Sequence, residues 1–283
     1  MMNSPIHLTD EHFSLSKTAG SHLLIRLADN SYSYAIVDAE HSRPLVLVKN
    51  KLSPQTESMS STEKLEIILT ENPYLKGDFG KVKISVETKA FTFIPAELYD
   101  DADLPQYSKF VGSTCESEVL SSDIPAYGIK TVCAIDAALV TQLKSSFHDP
   151  LIVSQANPFL NGVYQLVVSG SPEGLFLHFN TGSFEAAIVR NGILEFYNIF
   201  EIATADEFNY FLLNLMSQLT LDQNTAVGLS GEINKEDENF ERVAKYFDKI
   251  DFTGSQEMNA APEAFSRVPA HTFLALLSLG LCE

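Results

Sequence analysis

The side chains of this chain that could ligate a metal or act as nucleophiles are scattered. Seven histidines occur among 283 residues, and the nearest pair, His7 and His12, lies five apart. That spacing does not bring two imidazoles onto one helix face, so no metal site is read. His148 and Asp149 are neighbours within SFHDPLI. Adjacency alone does not assemble a catalytic pair, and no GxSxG elbow accompanies them. The phosphate-loop, dinucleotide and zinc-protease patterns GxxxxGK[ST], GxGxxG and HExxH are absent. Cys115, Cys133 and Cys282 are odd in number and lack CxxC spacing. Reduced thiols in a cytoplasm fit them better than a disulfide framework. Cys115 and Cys133 could face each other across a hairpin, but buried free thiols are expected. The acidic runs at 99–105 and 234–241 could draw a cation or a basic partner. Solvated loops and a helix's first turn, where the dipole favours acids, are the simpler reading.

Bulk charge narrows the function classes. Nineteen Lys plus Arg face 37 Asp plus Glu, a formal net charge of −18. Such a surface repels phosphate backbones and anionic lipids, so nucleic acid is not an expected partner. The first residues carry neither a basic nor an apolar signal region. The longest apolar stretch, FLALLSLGLC near the C-terminus, is far short of the ~20 residues that span a bilayer. A cytoplasmic location is therefore expected. The terminal helix, from His271, has no Lys or Arg and so lacks the basic face of a membrane-surface helix. It is expected to pack as a core helix between two halves of the molecule.

Two halves are expected because the chain repeats itself. Matching Ala35-Ile36-Val37 to Ala187-Ile188-Val189 without gaps puts Leu23 on Leu175, Ile25 on Leu177, Leu27 on Phe179, Ser31 on Ser183 and Tyr32 on Phe184. Each segment reads as an apolar strand, a polar turn (28–31 and 180–183) and a second strand. A third strand follows at 44–52 and at 192–200. Then comes a helix with a capping signal, Ser60 three before Glu63 and Thr204 three before Glu207. The second helix aligns Phe208, Phe211, Leu212, Leu215 and Leu219 on one face; the first has Leu65, Ile68 and Leu69 and stops at Asn72, before Pro73. A further strand follows each helix, at 81–87 and 225–231.

This repeated β-β-β-α-β order gives mixed α/β sheets carrying helices. The second half continues with a helix at 239–250, a strand from Ile250 and the terminal helix. The first continues with a strand at 91–99, a short helix near 104–110 and a hairpin-like insertion near 112–136. A helix at 137–147, a strand at 151–154 and a linking helix at about 156–164 close it. The expected domains are 1–164 and 165–283.

The plan resembles the actin-like ATPase superfamily, which includes actin, Hsp70 and sugar kinases. More narrowly, the chain is similar to an uncharacterised bacterial family assigned an actin-like ATPase fold. The residues carrying that likeness are YNIFE (197–201), DEFNYFLL (206–213), QLTLD (218–222), GLSGEI (228–233), KYFDKIDF (245–252) and the terminal CE, with weaker traces at 82–100. The resemblance implies two ribonuclease H-like lobes around a central cleft, with ATP held there by a turn from each lobe. The superfamily's turns read Asp-x-Gly-Thr/Ser and Asp-x-Gly-Gly/Ser-Thr, and a later Gly-Gly makes room for adenosine. Glycine lets backbone N–H groups approach phosphate, and Asp holds the metal through water.

By that resemblance the nucleotide-binding candidates are Asp29, Ser31, Asn180, Gly182, Ser183, Ser230 and Gly231. The departures matter as much as the matches. Asp29-Asn30-Ser31 contains no glycine. Asn180 carries no charge where the superfamily has an acid. Gly231 stands alone rather than in a pair, and Glu232 follows it. Catalytic residues remain unassigned. The leading expectation is a pseudo-ATPase serving as a binding or scaffold protein, its partner another protein, with ATP and Mg²⁺ not favoured as cofactors. The alternatives are an active nucleotide-dependent ATPase or kinase, and a cleft holding a different small ligand.

Overall fold

The computed structural model describes residues 5–283, so the first four residues of the expected N-terminal lobe lie outside the described residues. The chain forms two compact units. The first contains residues 5–161, 256–267 and 276–283; the second contains 162–255 and 268–275.

The first unit holds strands β1 (Ile6–Thr9), β2 (Ser21–Leu27), β3 (Ser31–Asp38) and β4 (Pro44–Lys51), then helix α1 (Ser61–Glu71) and strand β5 (Lys81–Val86). After these come β6 (Phe91–Pro95), the single turn α2 (Leu104–Tyr107), β7 (Ser117–Ile124), β8 (Ile129–Asp136), α3 (Ala137–Ser146), β9 (Leu151–Ser154) and the start of α4 (Ala156–Val168), whose residues from Gly162 on belong to the second unit. The main sheet has the order β1-β4-β3-β2-β5-β9. Its β4-β3-β2 meander is antiparallel, and β5 and β9 join parallel through helical crossovers. A separate sheet, β6-β8-β7, contains the expected insertion hairpin, and the strand at 91–95 completes it.

The second unit repeats the plan with β10 (Gly174–Asn180), β11 (Ser183–Arg190), β12 (Ile193–Glu201), α5 (Ala205–Gln218), β13 (Ala226–Gly231), α6 (Glu238–Ala244) and β14 (Lys249–Phe252), and the short α7 (Leu274–Ser278) starts in it and passes into the first unit at Leu276. Its sheet order is β12-β11-β10-β13-β14. The first hairpin pairs Leu23 with Ile36, and the second pairs Leu175 with Ile188, the residues aligned by sequence. The next pairing breaks register between Ile36 and Val37, and again between Ile188 and Val189. A bulge at the same place in both meanders is a stronger correspondence than shared strand order.

Both helices begin with the expected capping box, in which the Ser60 or Thr204 side chain accepts from the N3 amide and the glutamate answers the cap amide. On α5, Phe208, Leu212 and Leu215 are buried. Phe208 meets Phe179 and Phe184 edge-on at centroid distances of 5.1 and 5.0 Å, and Phe211 lies 4.9 Å from Phe200. Each fully buried Phe contributes about 2 kcal/mol of transfer free energy.

Several boundaries differ from expectation. The linking helix runs on to Val168. The helix expected to reach 250 ends at Ala244, because the Asp248 amide donates to the Gln223 carbonyl and draws the chain into β14. The short helix near 104–110 is a single turn. The terminal helix is three pieces: a 3-10 turn at Ala270–Phe273, α7, and another at Leu279–Leu281. Lys83 fixes the last of these by donating to the carbonyls of Gly280 (2.6 Å) and Cys282 (2.5 Å). Cys133 is buried as expected and Cys282 is buried too, but Cys115, also expected to be buried, is exposed.

Candidate functional site

The β2–β3 turn is tight. The Ala28 amide donates to the Ser31 carbonyl at 2.9 Å, leaving Asp29 and Asn30 at the tip. Neither tip residue has positive φ, so the turn needs no glycine. The Asp29 carboxylate is 80% exposed but already engaged. Lys64 reaches it from the first turn of α1, its Nζ donating to Asp29 Oδ1 at 2.6 Å and to the Asp29 carbonyl at 3.0 Å. Lys64 is itself buried, its stem covered and its ammonium aimed at the turn. Lys64 is not among the residues singled out from the sequence. Its position one residue before Leu65, on the edge of the apolar face, was the available signal.

The corresponding turn of the second unit is closed by the Asn180–Ser183 pair. Gly182 has φ +79°, and a β-carbon there would meet nothing within 4 Å. The glycine therefore serves the turn's conformation. Asn180 Nδ2 donates to Glu185 Oε1 at 3.3 Å, and Thr181 Oγ1 donates to Glu232 Oε1 at 2.9 Å. That second bond ties the turn to the loop after β13. Ser183, expected at a phosphate, is buried.

Strands β10 and β13 run parallel and end together, with Phe179 opposite Gly231. A β-carbon on Gly231 would lie 2.1 Å from the Phe179 carbonyl oxygen, and its φ is +83°. One on Gly228 would lie 2.7 Å from the Phe176 ring. Strand packing thus accounts for Gly231, which the resemblance places near adenosine, and for Gly228 three residues before it.

A buried polar row escaped the sequence reading. Ser230, His178 and Glu185 lie side by side across β13, β10 and β11. The His178 Nδ1 and Ser230 Oγ are 2.9 Å apart, and Glu185 Oε2 accepts from the Tyr197 hydroxyl at 2.8 Å. The three residue types suggest a hydrolytic triad, but all are inside the sheet, with Ser230 1% exposed and Glu185 0%. A nucleophile must reach its substrate, so this row is read as a satisfied polar network that fixes strand register. The signal for it was His178 and Glu185 interrupting two otherwise apolar strands, equidistant from the turn.

The second unit therefore brings Asn180, Gly182, Ser183, Ser230 and Gly231 to one end of its sheet, the carboxyl end of parallel strands where α/β folds place ligands. Asp29 and Ser31 occupy the matching turn of the first unit. The chain matches, over residues 10–250, the family described as "Protein of unknown function (DUF3822)". It belongs to that family. A solved Bacteroides thetaiotaomicron protein with actin-like ATPase fold and unknown function is similar to this DUF3822 chain, with a TM-score of 0.74 and 19% identity over 88% of this chain and 97% of that one. A second similar structure, in the PilM-PilN type IV pilus biogenesis complex, has a TM-score of 0.57 and 12% identity over 92% and 97% of the two chains. A comparison with curated proteins found no match. The DUF3822 chain thus has the actin-like ATPase fold. Among its described residues, no helix is long and apolar enough to cross a membrane.

Proposed function

We propose that this protein is a binding or scaffold protein, a pseudo-ATPase that keeps the actin-like fold without phosphoryl transfer. The observation carrying this reading is the pairing of Asp29 with Lys64 at 2.6 Å. In the superfamily's arrangement that carboxylate faces a hydrated metal; here an ammonium already neutralises it. The matching turn of the second unit offers Asn180, which has no charge, and directs Thr181 to Glu232, which adds a carboxylate beside the turn. The residues present do not fit Mg²⁺-ATP. Positioning and charge neutralisation supply nearly all catalysis of phosphoryl transfer, and these turns lack the groups for both.

The partner is proposed to be another protein, and the location cytoplasmic. A chain similar in fold occurs in the PilM-PilN type IV pilus biogenesis complex, and use of the scaffold to bind another protein is compatible with degenerate turns. A common ancestry of the two units by duplication is supported by the coincident register and bulges. Thermal unfolding with and without Mg²⁺-ATP tests the reading, because a ligand bound only to the folded state raises the melting temperature. The reading expects no rise at millimolar nucleotide. A rise that Asp29→Ala removes would instead support nucleotide binding at these turns, the reading that Gly182's open surroundings favour.

A further inference from the structure

The β6-β8-β7 sheet and the chain around it have no counterpart in the second unit. They carry the two most exposed large apolar side chains among the described residues, Phe110 at 77% and Leu98 at 68%. Apolar residues exposed singly are ordinary, but these two rise from a common base. Leu98 ends a 3-10 turn (Ala96–Leu98), and the next residue, Tyr99, packs inward on the small core of Val111, Val132 and Ala134. Phe110 directly precedes Val111 of that same core.

Tyr107 spans the interval between them. Its ring stacks on Tyr99 at a centroid distance of 5.3 Å. Its hydroxyl donates to the Leu98 carbonyl at 3.3 Å and accepts from the Asp100 amide at 3.2 Å, while its carbonyl accepts from the Phe110 amide at 2.9 Å. The exposed side chains are thus carried on a fixed frame, which lowers the ordering cost of binding.

Charge indicates what such a surface faces. Residues 97–110 contain four acids, Glu97, Asp100, Asp101 and Asp103, and one cation, Lys109. None of the four acids forms an ion pair among the described residues. Lys130, 4.7 Å from the centre of the Tyr99 ring, is already paired with Asp123 at 2.9 Å. An acidic fringe repels anionic lipid and nucleic acid. A second copy would bring the same acids and the same net charge of −18. A cationic partner with apolar side chains complements both features.

We propose that Leu98, Tyr107 and Phe110 form a docking surface for a basic amphipathic segment of another protein. Its apolar side chains rest on these three residues, and its Lys or Arg side chains face Glu97, Asp100, Asp101 and Asp103. This rests on the reading of the chain as a binding protein and names the chemistry of its partner.

A fluorescent amphipathic peptide of leucine and lysine serves as the probe. Its control has every leucine replaced by serine and the same charge. Binding to the full chain is read by anisotropy. The leucine peptide should saturate in the micromolar range, and the serine peptide should bind at least roughly tenfold more weakly. Leu98→Ser combined with Phe110→Ser should weaken the leucine peptide roughly tenfold without moving the urea midpoint, since both side chains already face water. Glu97→Gln combined with Asp103→Asn should weaken it roughly threefold at low salt and less at high salt. The proposal is overturned if the leucine peptide does not bind at ~100 µM, if both peptides bind alike, or if either pair of substitutions leaves the affinity unchanged. It is overturned equally if the chain self-associates in sedimentation and Phe110→Ser disperses it, a second copy then being the occupant. Failure of this surface leaves the pseudo-ATPase reading in place, whereas bound Mg²⁺-ATP removes that reading without moving the peptide affinities.

Discussion

Lys64 changes the meaning of Asp29. A carboxylate in the first turn of an actin-like hairpin suggests a metal, but a buried lysine donating to both its side chain and its carbonyl suggests a turn locked by charge. Because Asp29 is largely exposed, the pair should contribute little to stability: a double-mutant cycle of Lys64→Met with Asp29→Asn should give a coupling of about 0.5 kcal/mol in urea unfolding. Gly231 should be far less forgiving. Gly231→Ala sets a methyl 2.1 Å from the Phe179 carbonyl at a φ that L-residues avoid. It should cost roughly 3 kcal/mol or prevent folding, read from the same urea curves. Thiol reactivity separates the three cysteines. Burial pushes Cys133 up to about 12 and Cys282 to about 11, while Cys115 is exposed. An aromatic disulfide reagent near pH ~8 should therefore label one thiol quickly and all three only in denaturant. At this scale the sequence was least legible: residue type placed Asp29, Gly182 and Gly231 by resemblance, but not the partners that decide what each can do.

Elements were much more legible. The hairpin alignment placed the strands in their true register because alternating burial fixes which residue must face which, and a slip of one would turn Leu23, Ile25 and Leu27 out of the core. Capping boxes marked both helix starts. Thr204→Ala should cost about 1 kcal/mol in stability by leaving the Glu207 amide without its acceptor. Helix ends were read less well, since they depend on distant contacts such as the Asp248 amide on the Gln223 carbonyl. The β3–β4 connection also has its own pH signature. Asp38 accepts from the backbone amides of His41 (2.8 Å) and Glu40 (3.1 Å) and from His41 Nδ1 (3.0 Å). The His41 amide is the main cause holding its carboxyl below the usual range. A carboxyl lowered on folding stabilises the fold above its unfolded pKa. That contribution is lost as pH falls through the folded value. Asp38→Asn should flatten the loss of urea stability below about pH 4 while changing it less under more acid conditions.

Over the whole molecule, the repeated order of strands and helices was the feature that sequence displayed best. It is written in periodicity and turn chemistry, which survive when site residues change. The return of residues 256–267 and 276–283 to the first unit was not legible. It depends on contacts such as Lys83 with the carbonyls near the C-terminus, which no local pattern announces. The chain has the actin-like ATPase fold, while on the proposed reading its two turns lack the groups that phosphoryl transfer needs. The most direct test of that departure is calorimetric titration of the intact protein with Mg²⁺-ATP. The account predicts no heat of binding up to millimolar nucleotide, and none for Lys64→Met either. Saturable binding, abolished by Asp29→Ala and strengthened when Lys64 releases the carboxylate, would contradict it.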